Sequence, residues 1–121
     1  MDHYHQLLSE LREPTKSLRR ALPDAWSGFV ATHQAAMADG ALPGHLKEAV
    51  ALAISVVKRC DGCIAYHAKA AARAGATPAE VAELLGVALL MDGGTASVYA
   101  PRAWDAFHEF AVEPATAEAV G

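Results

Sequence analysis

The sequence predicts an all-α protein of about six helices, and three observations favour that fold class. Apolar residues make up 53% of the chain but aromatic residues only 7%, because alanine supplies much of the apolar count. Apolar side chains recur at helical spacing in successive segments, and proline or glycine separates those segments. No stretch of useful length alternates apolar and polar residues, so the sequence predicts no β-strand.

Length and charge narrow the class of protein further. A chain of 121 residues is large enough for one hydrophobic core, and we interpret residues 1–121 as a single domain. The net charge of −4 and the lack of a Lys or Arg run argue against a nucleic-acid surface. The N-terminus does not resemble a signal peptide, and no segment approaches the ~18 uninterrupted apolar residues of a membrane span. We therefore expect a cytoplasmic protein that binds neither nucleic acid nor membrane.

The first two helices are predicted from amphipathic segments that prolines separate. Residues 3–12 carry apolar side chains at helical spacing, which predicts a short helix that Pro14 closes. The residues before Pro23 predict at most one further turn. Residues 24–38 predict a second, longer helix, and Gly40 is a fitting stop for it.

The third predicted helix, residues 43–59, is expected to be central to the fold. Pro43 stands at its first-turn position, where the missing N–H costs little. From Ala49 to Val57 the helix is apolar on nearly every side, as a buried helix is. Glu48 lies at the start of this apolar run, where a carboxylate is costly unless it is paired, hydrogen-bonded or protonated.

Three more helices follow. The fourth covers about residues 61–74, and the sequence TPAE at residues 77–80 is a strong start signal for the fifth. Thr77 is expected to cap the helix and Pro78 to take its first position. The Glu80 carboxylate is placed to accept a hydrogen bond from the backbone N–H of Thr77. Gly93-Gly94 ends the fifth helix. The last helical region, residues 95–112, contains Pro101, which is expected to kink or interrupt it.

The candidate chemistry lies at the break between the third and fourth helices, where Cys60, Cys63 and His67 form the pattern C-x-x-C-x-x-x-H. On a helix, His67 lies one turn after Cys63 on the same face. Backbone N–H groups at a helix start stabilise a thiolate, and Lys58 and Arg59 add positive potential nearby. In a chain without an export signal, such a pair indicates redox chemistry or metal binding rather than a structural disulfide.

The relation of Glu48 to this motif is not determined by spacing alone. Twelve residues of helix separate it from Cys60 and rise ~18 Å, so simple antiparallel packing would leave Glu48 far from Cys63. A wide crossing angle, an irregular break or a neighbouring subunit would bring the acid and the thiol together.

Other residues are weaker candidates for chemistry. His3 and His5 are expected to lie in solvent, whereas His33, His45 and His108 have no partner nearby in sequence and receive no role. The large aromatic residues are expected to lie in the core or a subunit interface rather than in a substrate pocket. These residues are Trp26, Tyr66, Tyr99, Trp104 and Phe107.

The complete pattern is E-x(11)-C-x-x-C-x(3)-H, formed by Glu48, Cys60, Cys63 and His67. In this pattern, and in the downstream sequence MDGGTASVYAPRAWDAF, the chain resembles the alkylhydroperoxidase and carboxymuconolactone decarboxylase-like family of small helical proteins. The resemblance covers roughly residues 23–110. It implies an all-α fold with its core in residues 23–112, assembly into trimers or hexamers, and peroxide reduction through the two cysteines.

The resemblance also implies a role for each residue. Cys63 attacks the O–O bond and becomes a sulfenic acid, and Cys60 resolves it as a disulfide that an external dithiol reduces. That dithiol is a lipoyl domain, a thioredoxin-like protein or a small thiol. Glu48 and His67 form a proton relay, and no cofactor or metal is implied. Helix electrostatics instead favour Cys60 as the lower-pKa, more exposed thiol, so we expect Cys60 to meet the reductant.

Two features leave alternatives open. Gly62 stands where the best-studied peroxidases of the family carry a further histidine, which leaves weaker peroxidase activity or another role open. Decarboxylase members generally lack the cysteine pair, so the pair argues against lactone decarboxylation. The same four residues are also a zinc donor set, although their spacing is uncommon for structural zinc. A non-enzymatic redox sensor would use the same thiols without turnover.

Overall fold

The computed structural model describes residues 2–112, and within that range the fold consists of six α-helices and no β-strand. The helices are α1 (His3–Ala21), α2 (Pro23–Met37), α3 (Gly44–Lys58), α4 (Asp61–Ala74), α5 (Pro78–Asp92) and α6 (Ala96–Ala111). The predicted fold class is therefore confirmed. Residues 113–121 of the predicted domain lie outside the described residues. Within the described range, no helix combines the length and apolar character needed to cross a bilayer.

The core lies where α3 packs against α4, α5 and α6. More than half of the buried apolar residues in the described range are alanines, which lets the helices approach closely. The largest fully buried side chains come from all four of these helices and are Leu52, Val56, Ile64, Val81 and Phe107. This packing places α3 and α4, which flank the cysteine motif, side by side at the centre of the chain.

Two prolines lie inside helices that they were expected to disturb. The prediction that Pro14 closes α1 is wrong, because α1 continues to Ala21, and Pro101, which was expected to kink or interrupt α6, does not interrupt it. A proline inside a helix removes the hydrogen bond to the carbonyl four residues earlier. Here those carbonyls belong to Glu10 and Ser97, which are exposed residues, so water can take the place of the missing N–H. Both helices therefore continue.

The cap signals at the ends of the inner helices are confirmed with small shifts. Pro43 is the cap residue before α3 rather than a first-turn residue, and Gly75 ends α4 in the left-handed region at φ 95°. The Thr77 hydroxyl accepts the Glu80 N–H (3.1 Å), and the Glu80 carboxylate accepts the Thr77 N–H (2.9 Å). The hydrogen bond from the Thr77 N–H is the main reason that the pKa of Glu80 is lowered. The contact with His45, at 3.3 Å, lowers that pKa further. His45 thus has a partner that lies far from it in sequence.

Glu109 of α6 holds the start of α1 in place through hydrogen bonds. Its buried carboxylate accepts the backbone N–H groups of Tyr4 (3.3 Å) and His5 (2.7 Å), and Oε2 lies 2.5 Å from His5 Nδ1. Burial acts to raise the pKa of Glu109, but the hydrogen bonds from His5 and Tyr4 outweigh it and lower that pKa. The His5 side chain, which was expected to lie in solvent, is 39% exposed but pairs with Glu109, whereas His3 is exposed.

The predicted burial of the large aromatic residues holds within one chain for Phe107 only. Tyr66 and Trp104 are exposed, and Trp26 and Tyr99 are half-buried. No residue of α2 is buried at all. Several apolar side chains of the outer helices are therefore largely exposed within the described chain.

Candidate active site

A sharp break between α3 and α4 presents the two cysteines. Arg59 ends α3 in the left-handed region (φ 55°), and Cys60 caps the start of α4. Cys60 and Cys63 are joined by a disulfide, with their Cα atoms 5.2 Å apart. The backbone N–H of Cys63 donates to the sulfur of Cys60 at 3.2 Å. When the disulfide is reduced, that N–H group stabilises a thiolate on Cys60.

The two cysteine residues differ in exposure, in the opposite sense to our expectation. Cys63 is exposed, whereas Cys60 is half-buried. The reason is the shape of the break: the backbone N–H of Cys60 donates to the carbonyl of Ser55 at 3.2 Å, which draws Cys60 back against the end of α3. Cys63, inside the first turn of α4, faces outward. The prediction that Cys60 is the more exposed cysteine is therefore wrong.

The charges around the break are mixed. The Arg59 guanidinium reaches Asp92 at 3.5 Å, and Arg102 reaches the carboxylate of Asp61 at 3.5 Å. Arg59 and Arg102 thus each have a carboxylate beside them, which reduces the positive potential expected from Arg59. The N–H groups at the start of α4 also stabilise a thiolate.

Glu48 and His67 form a hydrogen-bonded pair across α3 and α4. Glu48 Oε1 lies 2.8 Å from His67 Nδ1, and Glu48 is only 8% exposed. The buried carboxylate thus has the partner that its environment demands. Because Nδ1 faces the carboxylate, Nε2 is the nitrogen left to exchange a proton with another group.

Glu48 and His67 lie at similar distances along the chain from the break at Cys60, so they can pair within one subunit. Glu48 lies twelve residues before Cys60, and His67 lies seven residues after it, so the two differ by five residues, or ~7.5 Å of helix rise. Two long side chains span that offset. His67 in turn stands one turn beyond Cys63 on α4. The acid therefore contacts an imidazole that stands one helical turn beyond the second cysteine.

A second histidine joins this group from α2. The His33 ring stacks on the His67 ring, with centroids 6.4 Å apart and planes 24° apart, and meets Tyr66 edge-on at 6.1 Å. The Nε2 atom of His33 is buried and has no hydrogen-bond partner among the described residues. Sequence reasoning missed His33, because no local spacing relates a residue of α2 to one of α4.

Helix α1 packs over Gly62, the position at which the best-studied peroxidases of the family carry a further histidine. A Cβ atom added at Gly62 would lie 3.4 Å from Cδ1 of Leu11, which is van der Waals contact. An alanine would therefore fit there without displacing Leu11.

The described residues do not favour the zinc alternative. A zinc site would require the side chains of four residues to surround one metal position: Cys60, Cys63, His67 and Glu48. Within residues 2–112, no three His, Cys, Asp or Glu side chains are grouped so that they could hold a metal ion. Instead the sulfurs bond to each other, and the imidazole bonds to the carboxylate.

Fold and site together define a small all-helical protein with a C-x-x-C disulfide beside a buried Glu–His pair. The model of the carboxymuconolactone decarboxylase family matches residues 23–106. The chain therefore belongs to the carboxymuconolactone decarboxylase family.

Similar proteins agree with this assignment. The crystal structure of a family member from Legionella pneumophila, in its apo form, superimposes with a TM-score of 0.88 at 36% identity. The match covers 92% of this chain and 99% of that one. An uncharacterised protein of Cupriavidus necator is 38% identical over 79% of this chain and 85% of its own length. An uncharacterised protein of the Paracoccus denitrificans cox locus is 39% identical over 62% of this chain and 68% of its own.

Proposed function

We propose that this protein is a thiol peroxidase that reduces hydrogen peroxide or an alkyl hydroperoxide at the expense of an external dithiol. The observation that carries the proposal is the combination of a C-x-x-C disulfide at the start of α4 with a buried acid–base pair, Glu48 of α3 and His67 of α4. A cysteine pair stores two electrons, and an adjacent acid–base pair moves the protons that peroxide reduction requires.

In the first step, His67 accepts the proton of the Cys63 thiol, and Glu48 stabilises the resulting imidazolium. The Cys63 thiolate attacks the terminal oxygen of R–O–OH, so an S–O bond forms and the O–O bond breaks. Cys63 becomes a sulfenic acid, having lost two electrons to the peroxide. The departing alkoxide takes the proton from His67 and leaves as an alcohol.

In the second step, Cys60 resolves the sulfenic acid. Its sulfur attacks Sγ of Cys63, an S–S bond forms, and the S–O bond breaks. The departing hydroxide takes the proton that the Cys60 thiol gives up and leaves as water. The Cα separation of 5.2 Å lies within the range of disulfide-bonded cysteines.

The third step returns the disulfide to two thiols. We assign the attack of the external dithiol to Cys63, because Cys63 is the more exposed of the two cysteine residues. Cys60 then leaves as a thiolate that the Cys63 N–H stabilises. The resulting mixed disulfide is resolved by the second thiol of the reductant. A lipoyl domain, a thioredoxin-like protein or a small dithiol fits this step, and the cytoplasm supplies all three.

We also propose that the chain assembles into a trimer or hexamer. A groove between α3 and α5 is lined only by apolar side chains: Val50, Ala53, Ile54, Val57, Leu84, Val87, Ala88 and Met91. Met91 is 77% exposed within one chain, and α2 presents Phe29 at 63% exposure. Contiguous apolar surface of this kind is typical of subunit contacts.

Peroxide consumption per protein chain tests the proposal. Reduced protein is mixed with excess peroxide and a small dithiol, and the peroxide that remains is measured over time. Many peroxide molecules consumed per chain indicate an enzyme, and the variant with both cysteines changed to serine should consume none. Consumption of one peroxide per chain would instead indicate a redox sensor, and thiols that react only after chelation would indicate a metal site.

A further inference from the structure

Asp92, the last residue of α5, is a largely buried carboxylate that the proposed mechanism does not use. Its side chain is only 15% exposed, and Oδ2 is buried with no hydrogen-bond partner among the described residues. An acid at the C-terminal end of a helix also lies beside the negative end of the helix dipole. Neither its burial nor its place on α5 favours a carboxylate, so the reason for this acid lies in what it contacts.

The contact of Asp92 is with Arg59, the residue directly before Cys60. Nη2 of Arg59 lies 3.5 Å from Oδ1 of Asp92, and Nη1 donates to the backbone carbonyl of Val57 at 3.4 Å. The arginine side chain therefore reaches from the end of α3 to the end of α5. Asp92 supplies the far end of this connection, and its charge is only partly screened because it is mostly buried.

Arg59 needs such a contact because of its backbone conformation. With φ 55° and ψ 44° it lies in the left-handed region, and among the described residues it is the only non-glycine residue with a positive φ. A residue with a Cβ atom is less stable in this region than glycine, which occupies the positive-φ positions at Gly75 and Gly93. The contacts of the arginine side chain offset that cost at position 59.

The left-handed turn at Arg59 determines where Cys60 lies. Beyond this turn, the backbone N–H of Cys60 donates to the carbonyl of Ser55 at 3.2 Å, and the Cys60 sulfur accepts the Cys63 N–H at 3.2 Å. A different conformation at Arg59 would redirect the backbone of Cys60 and weaken both hydrogen bonds. The turn therefore controls how well the Cys63 N–H stabilises a thiolate on Cys60.

We propose that Asp92 is a positioning residue of the cysteine pair, which holds the Arg59 side chain and so keeps the left-handed turn that aims the Cys60 sulfur at the Cys63 N–H. This inference rests on one part of the proposed function, the cycling of the pair between two thiols and a disulfide. It does not depend on peroxide as the oxidant.

Reduction of the disulfide by dithiothreitol is the reaction that reports on the turn. One thiolate of dithiothreitol attacks Sγ of Cys63, an S–S bond forms, and Cys60 leaves with the electron pair of the broken bond. The second thiol of the reagent then displaces Cys63, so the reagent ends as a cyclic disulfide and both cysteines end as thiols. A Cys60 thiolate that has lost its N–H donor leaves more slowly.

We expect Asp92→Asn to slow this reduction by about three- to tenfold, because the amide holds Arg59 less firmly and the turn loosens. An acid that acted through its charge alone would give the opposite result, since its loss leaves Arg59 unpaired beside Cys60 and favours the thiolate. The matched control is Glu83→Gln, which removes an exposed acid from the same helix and should react as the wild type does. Quenching with an alkylating reagent followed by mass spectrometry measures the rate.

Substitutions at position 59 test whether Asp92 acts through the turn. Arg59→Gly removes the side chain but adopts the left-handed conformation readily, so it should keep a rate near that of the wild type. Arg59→Ala keeps Cβ without the contacts and should be slow. In the Arg59→Gly background, Asp92→Asn should have no further effect, because the turn no longer needs to be held.

Three results would overturn the inference: an Asp92→Asn rate equal to or above that of the wild type, a slow Arg59→Gly variant, or an effect of Asp92→Asn that persists with glycine at position 59. If Asp92→Asn does not fold, as judged by circular dichroism, Asp92→Ser is measured by the same criteria. A wild type that does not consume peroxide, together with slow exchange in Asp92→Asn, would remove the peroxidase proposal alone. Peroxide turnover with unchanged exchange in Asp92→Asn would remove this inference alone.

Discussion

Glu48 Oε1 lies 2.8 Å from His67 Nδ1, so a carboxylate of α3 and an imidazole of α4 form one acid–base unit inside the fold. The two residues are nineteen positions apart in the sequence, with both cysteines between them. Because the carboxylate is buried, it acts on His67 with little screening by solvent. The pair therefore joins α3 to α4 one helical turn beyond Cys63.

Replacing Glu48 with Gln should slow peroxide reduction by about 10- to 100-fold, because the amide keeps a hydrogen bond to His67 but no longer stabilises an imidazolium. The fold should persist, since the two side chains have the same shape. Stopped-flow measurement of peroxide-driven oxidation checks the rate, and circular dichroism checks the fold. Glu83→Gln on the exposed surface of α5 is the matched control. A Glu48→Gln variant that reacts as fast as the wild type would remove Glu48 from the mechanism.

Serine substitutions separate the roles of the two cysteines. Cys63→Ser should abolish peroxide consumption, because the attacking sulfur is lost. Cys60→Ser should still react once and accumulate a sulfenic acid, since no resolving thiol remains. A sulfenic-acid trapping reagent followed by mass spectrometry checks both outcomes. Normal turnover by Cys63→Ser, or trapping on Cys60 rather than Cys63 in the wild type, would reverse the assignment.

A charge placed in the apolar groove should break the oligomer. Ile54 is 55% exposed in the groove between α3 and α5, so Ile54→Asp costs the single chain little while burying an unpaired carboxylate in an assembly. Light scattering should show a trimer or hexamer for the wild type and a smaller species for Ile54→Asp. Val112→Asp, at the exposed end of α6, should leave the mass unchanged. A monomeric wild type would contradict the proposed assembly.

The hydrogen bonds to Glu109 should make the attachment of α1 sensitive to acid. They hold the pKa of Glu109 below its ordinary value of 4.5, so the folded protein keeps this carboxylate charged at a pH where the unfolded chain protonates it. The resulting stability is fully present above about pH 4.5 and is lost as the pH falls through the lower folded value. Thermal unfolding followed through that range should show the decline.

Glu109→Gln should lower the free energy of unfolding by about 1–2 kcal/mol at neutral pH, because it weakens the hydrogen bonds to the start of α1. Glu109→Gln should also reduce the loss of stability as the pH falls. The control variant Glu10→Gln, on the exposed side of α1, should lose stability in acid as the wild type does. An acid decline that is as steep in Glu109→Gln as in the wild type would mean that other carboxylates cause it.

Local signals in the sequence were enough to predict most helix ends and to propose Glu48 and His67 as an acid–base pair. The TPAE cap at residues 77–80 and the stop at Gly75 depend on neighbouring residues only, and both are confirmed. Glu48 and His67 could be proposed as partners because a charged residue in an apolar helix needs one. Their actual contact follows from the register of two consecutive helices, which the sequence leaves open until the break at Arg59 is known.

The remaining features depend on packing between distant elements, and sequence reasoning missed them for that reason. Pro14 was expected to stop α1, and Pro101 was expected to kink or interrupt α6, but whether an unpaired carbonyl faces solvent is a property of the folded chain. The same holds for His33, which meets His67 only after α2 docks. The exposure of the two cysteines depends on how the break folds back on Ser55, a detail with no sequence signal.

Intact-mass spectrometry of the fully reduced protein, before and after one equivalent of hydrogen peroxide, tests the central claim most directly. We expect the chain to become lighter by two hydrogen atoms, with the new bond mapped between Cys60 and Cys63. A chain whose mass does not change while the peroxide remains in solution would contradict the claim that these two sulfurs, His67 and Glu48 act together as a peroxide-reducing site.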